Sequence, residues 1–174
     1  MLCTANQCRS VMGEALLQAR LEERGTDAVV ASAGFLEGGV PPTEEVIDTM
    51  AAMGLDVSAH LSHQVTPELL DAADLIVAMT RQHVIDATLM APDAWTRIFQ
   101  LTDLVRRAEA VGPWPPQQPW SEWLDAVGEG RTRTGILSAS LSDDIADPIG
   151  QSAAVHTASR LLLDDLFTRL ADLL

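Results

Sequence analysis

Close to the start of the chain stands the stretch Cys3-Thr4-Ala5-Asn6-Gln7-Cys8-Arg9-Ser10, in which a cysteine is followed after five residues by an arginine and then by a hydroxyl residue. A short loop of this kind wraps a tetrahedral oxyanion when its backbone N–H groups point inward at the oxygens. Arg9 would close such a loop with a planar, two-pronged donor. A helix predicted from Ser10 onward would point its positive end at the same place. The stretch therefore predicts an anion-binding loop in front of a helix.

The chemistry of this loop depends on Cys3, which would lie at its base, where the sulfur can attack phosphorus. A thiol beside an arginine and a helix N-terminus ionises readily, and the thiolate is the reactive form. Ser10 is placed to donate a hydrogen bond to that thiolate. The alternative is a structural thiol, because many cysteines serve as small buried apolar residues.

Length and composition limit the class of protein. The 174 residues are enough for one domain with a sizeable core, and an apolar content of 47% is typical of a packed globular protein. A net charge of −14 makes nucleic acid and anionic membrane surfaces poor partners. Both cysteines lie in the loop, which favours a reducing cytoplasm over a disulfide scaffold. No apolar run approaches the length needed to span a membrane.

Apolar runs alternate with helical patterns along the rest of the chain. Strands are predicted at residues 28–31, 74–79 and 97–101, and helices at 10–24, from 43 to 54, from 66 onward, and at 80–89, 102–110 and 152–173. Leu162 belongs to the predicted apolar face of the last helix. Alternating strands and helices predict a parallel sheet covered on both faces, with the ligand site beyond the carboxyl ends of the strands.

Residues 112–142 interrupt this alternation with prolines and tryptophans. One interpretation is a Pro-rich recognition segment. The other is an insertion whose tryptophans pack onto the domain. We expect a single domain over residues 1–174 with a Pro/Trp-rich insertion at about 112–142. The residues concerned are Pro113, Trp114, Pro115, Pro116, Pro119, Trp120 and Trp123.

A second catalytic group is needed, because a thiolate does not easily expel an alkoxide or phenoxide unless the leaving oxygen is protonated. Asp147 is the best candidate for that acid, since Pro148 fixes the backbone beside its carboxyl group. The alternative for an Asp-Pro pair is an ordinary turn.

The loop sequence resembles the signature of the low-molecular-weight protein tyrosine phosphatases, Cys-x-Gly-Asn-x-Cys-Arg-Ser, at five of its six fixed positions, with Ala5 in place of the glycine. Asp144-Ile145-Ala146-Asp147-Pro148 is similar to the Asp-Ile-Pro-Asp-Pro string of the same family. Ser32-Ala33-Gly34 and residues 74–79 also look like family landmarks in the usual order. The resemblance covers most of residues 1–111 and 143–173.

The resemblance implies a three-layer α/β fold, in which a four-stranded parallel sheet carries helices on both faces. It also implies hydrolysis of a phosphomonoester, above all protein phosphotyrosine, with Cys3 as nucleophile, a phosphocysteine intermediate and Asp147 as the acid that later activates water. Asn6 would hold the loop in shape through its side chain. The implied reaction needs no cofactor and no metal. The implied phosphate-binding residues are Thr4, Ala5, Asn6, Gln7, Cys8, Arg9 and Ser10.

The substrate stays open at this point, among phosphotyrosine, phosphoarginine and arsenate. Gln7 stands where phosphotyrosine enzymes of this family often carry Ile and arginine-phosphate phosphatases carry Thr. Ile149 and Gly150 follow the Asp-Pro pair where an aromatic residue is usual, so Phe35 or a tryptophan of the insertion is the alternative source of an aromatic wall. The expected partner is a phosphorylated protein or a small phosphomonoester, and neither nucleic acid nor a membrane. The rival functions are an arsenate reductase that draws on a small thiol and a catalytically impaired phosphate-binding or redox-sensing module.

Two further expectations concern the histidines and the first strand. His60, His63, His83 and His156 lack a metal-binding spacing, and each is interpreted as a surface or satisfied core residue. Only two residues precede Cys3, whereas a strand has about five. We therefore expect the first strand to be truncated, with the true start upstream.

Overall fold

The computed structural model describes residues 1–138 and 141–174. Its central feature is a parallel sheet with the strand order β2-β1-β3-β4. Leu2 pairs with Ala33 on one side and with Ala78 on the other, so β1 lies inside the sheet although it has two residues. The strands are β1 (Leu2–Cys3), β2 (Ala33–Gly34), β3 (Ile76–Ala78) and β4 (Ile98–Gln100).

Helices follow the strands where helix-start signals predict them. The hydroxyls of Thr66 and Thr80 accept hydrogen bonds from the backbone N–H groups of Leu69 and His83, both at 3.3 Å, so each threonine caps a helix as its sequence indicates. None of the helices in the described residues is long and apolar enough to cross a lipid bilayer. The helices are α1 (Arg9–Arg24), α2 (Glu44–Ala51), α3 (Pro67–Ala72), α4 (Arg81–Met90), α5 (Leu101–Val111), α6 (Trp120–Val127) and α7 (Ala153–Ala171).

Each face of the sheet carries its own hydrophobic core, because successive side chains of a strand point to opposite faces. Val77 and Phe99 belong to a core shared with α1, α5 and α7. Ile76, Ala78 and Ile98 belong to a second core shared with α4 and the 3-10 turn before β4. Helices therefore cover both faces, and the predicted three-layer α/β fold is confirmed.

The strand predicted at residues 28–31 is wrong. Val29 is 94% exposed, and the sheet pairing begins later, where Ala33 N–H donates to Met1 O at 2.9 Å. The segment is instead fixed to α1 by Gln18, whose side-chain oxygen accepts from Val30 N at 2.9 Å. Paired valines suggest a buried strand, but here the Gln18 side chain satisfies the backbone of Val30, and Ala31 O accepts from the Met1 amino group at 2.7 Å.

The last helix also differs from its sequence pattern. Leu162 is 45% exposed, whereas Leu163 is fully buried and two polar residues, His156 and Ser159, are buried on the same face. The C-terminal half of the predicted face is buried, at Leu166, Leu170 and Leu173, so the displacement is confined to the first half, where two of the buried residues are polar.

Residues 112–138 form a segment that packs onto the domain. Trp123 is only 1% exposed, and its indole N–H donates to Gly112 O at 2.9 Å. The ring of Trp120 lies 5.4 Å from Trp114 and 5.0 Å from Trp123, centroid to centroid. The indole N–H of Trp120 also donates at 3.2 Å to the backbone oxygen of Asp74, a residue that precedes β3. The tryptophans therefore pack onto the domain as predicted, at the end of the sheet opposite the Cys3–Ser10 loop. The helix α6 was not predicted, because the surrounding sequence is rich in proline.

Replacing Trp123 with alanine is expected to lower the free energy of unfolding by about 3–5 kcal/mol, because a fully buried aromatic side chain leaves a cavity. Urea denaturation followed by circular dichroism measures the loss. Trp120→Ala is the matched control, since Trp120 is only half-buried and its loss should be smaller. Equal losses in the two variants would contradict the view that Trp123 anchors the segment.

Candidate active site

The Cys3–Ser10 loop connects β1 to α1 at the carboxyl end of the sheet, as its sequence predicts. The Cys3 sulfur is buried at its base and lies 3.0 Å from Ser10 Oγ. Asn6 has a φ of 54°, a left-handed conformation that asparagine tolerates better than most residues. Ala5 does not have a positive φ, which explains how this loop dispenses with the glycine of the signature that it resembles.

The loop is held by the side chain of Asn6, which is fully buried. Its amide nitrogen donates to Ser10 Oγ at 2.9 Å and to Ser32 Oγ at 2.7 Å. Its amide oxygen accepts from His63 N at 2.8 Å and from His60 Nε2 at 3.2 Å. These are hydrogen bonds of the kind through which Asn6 is expected to hold the loop in shape. The role of His60 was missed, because sequence spacing alone does not show that it lies beside Asn6.

A second brace comes from the segment that follows β2. Phe35 N and Leu36 N donate to Thr4 O at 2.8 and 3.2 Å. Gly34 runs so close to the loop that a Cβ on it would lie 2.7 Å from Asn6 N and 2.9 Å from Thr4 O. Gly34 is therefore required for space, since its backbone conformation is open to other residues.

Arg9 is 3% exposed and points across the mouth of the loop. One terminal nitrogen donates to Ile145 O at 2.9 Å, and the other contacts Thr4 Oγ1 at 3.3 Å and Asp147 Oδ2 at 2.5 Å. Its buried Nε has no hydrogen-bond partner among the described residues, which leaves one donor for a ligand. The structure thus brings Arg9 and Asp147 together, as the site prediction requires.

Asp147 reaches Arg9 because the residues before it are tied to the sheet. Asp144 Oδ1 accepts from Arg81 N and from Gln100 Nε2, both at 2.7 Å. Ile145 N donates to Met79 O at 2.8 Å, and its side chain is buried. These contacts lie at the carboxyl ends of β3 and β4, so the Asp-Pro pair is part of the site rather than an isolated turn.

His83 forms a side wall that the sequence interpretation did not anticipate. Its Nε2 lies 3.0 Å from Thr4 Oγ1, and its ring stacks on Phe35 with centroids 5.6 Å apart. Burial, followed by the charge of Arg9, lowers the pKa of His83 to about 4. The interpretation of His83 as a surface or satisfied core residue is wrong, since it is buried beside the loop and its Nδ1 has no partner among the described residues. Phe35 is the aromatic ring on this wall, and the three tryptophans of residues 112–138 do not contribute to it.

The second cysteine is set apart from the first by its surroundings. Cys8 is buried, and burial followed by the proximity of Cys3 raises its pKa to about 12. Cys8 therefore stays a thiol at neutral pH, and no disulfide joins it to Cys3. Within residues 1–138 and 141–174, no group of three or more His, Cys, Asp or Glu side chains is arranged to hold a metal ion.

Comparison with known proteins gives a consistent picture. The family model described as low molecular weight phosphotyrosine protein phosphatase matches residues 1–114. A protein-arginine-phosphatase of Bacillus subtilis is 37% identical over 83 residues, which are 47% of this chain and 55% of that protein, so the chain spans about half the length of this relative. A probable low molecular weight protein-tyrosine-phosphatase, EpsP, of Ralstonia nicotianae is 32% identical over 74% of this chain and 87% of its own. An arsenate reductase of Staphylococcus haemolyticus is 28% identical over 75% of this chain and 88% of its own.

Solved structures extend the similarity over the rest of the chain. The low molecular weight protein tyrosine phosphatase from T. tengcongensis superposes with a TM-score of 0.73 at 25% identity, covering 99% of this chain and 96% of its own.

Replacing Gly34 with alanine is expected to weaken binding of inorganic phosphate at least about tenfold, because the added methyl group displaces the loop backbone. Isothermal titration calorimetry measures the affinity. Gly128→Ala is the control, since a Cβ there would meet nothing nearer than 3.3 Å. Unchanged phosphate affinity in folded Gly34→Ala protein would show that the loop does not form the anion site.

Proposed function

The chain belongs to the low molecular weight phosphotyrosine protein phosphatase family, and from this premise we propose that Cys3 carries out phosphomonoester hydrolysis through a phosphocysteine intermediate. One observation carries the proposal above the others. Arg9, which closes the loop above the Cys3 sulfur, contacts Asp147 Oδ2 at 2.5 Å across 138 residues of sequence. A nucleophile, an anion-binding cation and a candidate acid therefore converge on one loop.

In the first step, the Cys3 thiolate forms a bond to phosphorus while the bond from phosphorus to the leaving oxygen breaks. Asp147, in its carboxylic acid form, gives its proton to that oxygen. Ser10 assists because Asn6 Nδ2 donates to Ser10 Oγ, which leaves the serine proton for the sulfur at 3.0 Å. The backbone N–H groups of residues 4–10 and Arg9 Nε would bind the phosphate oxygens.

In the second step, a water molecule attacks the phosphocysteine. The Asp147 carboxylate takes a proton from that water, the bond between phosphorus and sulfur breaks, and the thiolate is regenerated. Asp147 is 43% exposed in its side chain, so both a leaving group and water can reach it. Inorganic phosphate is the product.

The substrate that we propose is phosphotyrosine in a protein, with a small phosphomonoester as the alternative. The half-buried ring of Phe35, stacked on His83 beside Thr4, supports an aromatic leaving group. We place the reaction in the cytoplasm, because both cysteines are free thiols and the nucleophile must stay reduced.

Arsenate reduction is the second candidate, and the similarity to a staphylococcal arsenate reductase favours keeping it. The sequence has two cysteines, and the second, Cys8, is buried with its pKa raised to about 12. An arsenate adduct on Cys3 would therefore need an added small thiol as reductant. Measuring arsenate consumption with glutathione alongside aryl phosphate turnover separates the two functions. A protein that shows neither activity would be a silent phosphate-binding module.

Replacing Cys3 with alanine is expected to reduce aryl phosphate hydrolysis to background, because it removes the thiol that forms the covalent intermediate. Binding of inorganic phosphate should persist, since Arg9 and the loop backbone remain. Steady-state kinetics and calorimetry measure the two properties. Hydrolysis by the variant at the rate of the unsubstituted protein would show that Cys3 is not the nucleophile.

Replacing Asp147 with alanine is expected to slow turnover on the order of a hundredfold, the usual contribution of a positioned general acid. The loss should be smaller for leaving groups of low pKa, which depart without a proton. A series of aryl phosphates gives the dependence, and Asp165→Ala on α7, which removes an exposed carboxylate paired with Arg169, is the control. An equal loss across the series would make Asp147 structural.

A further inference from the structure

A chain of polar contacts runs from His83 to the arginine that closes the loop. His83 Nε2 lies 3.0 Å from Thr4 Oγ1, and Thr4 Oγ1 lies 3.3 Å from a terminal nitrogen of Arg9. The same Arg9 nitrogen contacts Asp147 Oδ2 at 2.5 Å. Thr4 is therefore the link between a buried histidine and the two charged groups of the site.

One arrangement of protons satisfies each contact of this chain. A guanidinium only donates, so Thr4 Oγ1 accepts from Arg9. The single hydroxyl proton of Thr4 is then free for His83 Nε2, provided that the ring is neutral. The ring is neutral at neutral pH, because burial and the charge of Arg9 lower the pKa of His83 to about 4. In the tautomer with the ring proton on Nδ1, Nε2 accepts from the Thr4 hydroxyl.

This assignment leaves a polar atom unsatisfied. His83 Nδ1 is buried and has no hydrogen-bond partner among the described residues. A leucine would fill the space without such an atom, so packing alone does not account for a histidine here. The ring is nevertheless fixed, by its stacking on Phe35 at an interplanar angle of 11° and by the Thr80 cap on its backbone N–H. In the Nδ1-protonated tautomer the ring supplies an acceptor at a set position.

We propose that His83 is a positioning residue whose Nε2 orients the Thr4 hydroxyl, so that Thr4 in turn holds the Arg9 guanidinium toward a bound anion and Asp147. This inference deepens the proposed function and rests on it for its catalytic consequence. The effect on anion binding does not require turnover.

The test measures the affinity for inorganic phosphate by calorimetry and the kinetics with an aryl phosphate. His83→Leu and Thr4→Val are each expected to weaken phosphate binding and kcat/KM about tenfold, because each removes the support of Arg9. The double variant should be no worse than the single ones, since both substitutions break the same chain of contacts. His83→Gln, whose side-chain amide places an oxygen within reach of the Thr4 hydroxyl, should stay within about threefold of the unsubstituted protein.

His156→Leu is the matched control, because His156 on α7 has the same 5% exposure and, among the described residues, forms no hydrogen bond with the Cys3–Ser10 loop. It should retain phosphate affinity even if stability falls. Folded His83→Leu protein that binds phosphate with unchanged affinity would overturn the proposal, and so would losses that multiply in the double variant. If the unsubstituted protein hydrolyses nothing while His83→Leu still weakens phosphate binding, the positioning role stands and the hydrolase proposal falls.

Discussion

The site depends above all on the hydrogen bonds of one buried amide, the Asn6 side chain. It joins the loop to the segment before β2 through Ser32 and to residues 60–63 through His60 and His63. Both amide atoms are fully used, so the side chain braces the loop from both sides. Donors fixed in advance stabilise an oxyanion without reorganisation during the reaction, which is where such sites gain most of their effect. The same amide orients Ser10, and through Ser10 the Cys3 sulfur.

The second half of the site comes from the far end of the chain and is joined to the first by the sheet. Asp144 binds the backbone of α4 and the side chain of Gln100 at the end of β4, and Ile145 binds Met79 after β3. These contacts place Asp147 beside the loop, and Arg9 completes the connection by donating to Ile145 O at 2.9 Å and to Asp147 Oδ2. The parallel sheet is therefore what brings the cysteine and the aspartate together, because all its strands end on the same side.

The parts that could be predicted from the sequence are local. The loop before α1, the threonine caps of α3 and α4 and the pairing of Cys3 with Ser10 depend on neighbouring residues, and their patterns are visible in the chain. The contact of Thr4 with His83 spans 79 residues, and nothing in the spacing of either residue indicates it. The prediction of a strand at 28–31 is wrong for a related reason, since the Gln18 side chain on α1 accepts the hydrogen bond of Val30 N. The reason why Ala5 can replace a glycine also could not be predicted from the sequence. Only the dihedral angles show that the residue with a left-handed backbone conformation is Asn6.

The central claim is that this loop, held open by Asn6, presents Cys3 as a nucleophile to phosphorus. Acid quenching of the protein during turnover of an aryl phosphate, followed by peptide mass spectrometry, tests it most directly. The account predicts a phosphoryl group on the N-terminal peptide, attached to Cys3 and still present when Cys8 is replaced by serine. A phosphoryl group on any other residue, or turnover with no covalent intermediate, would contradict it.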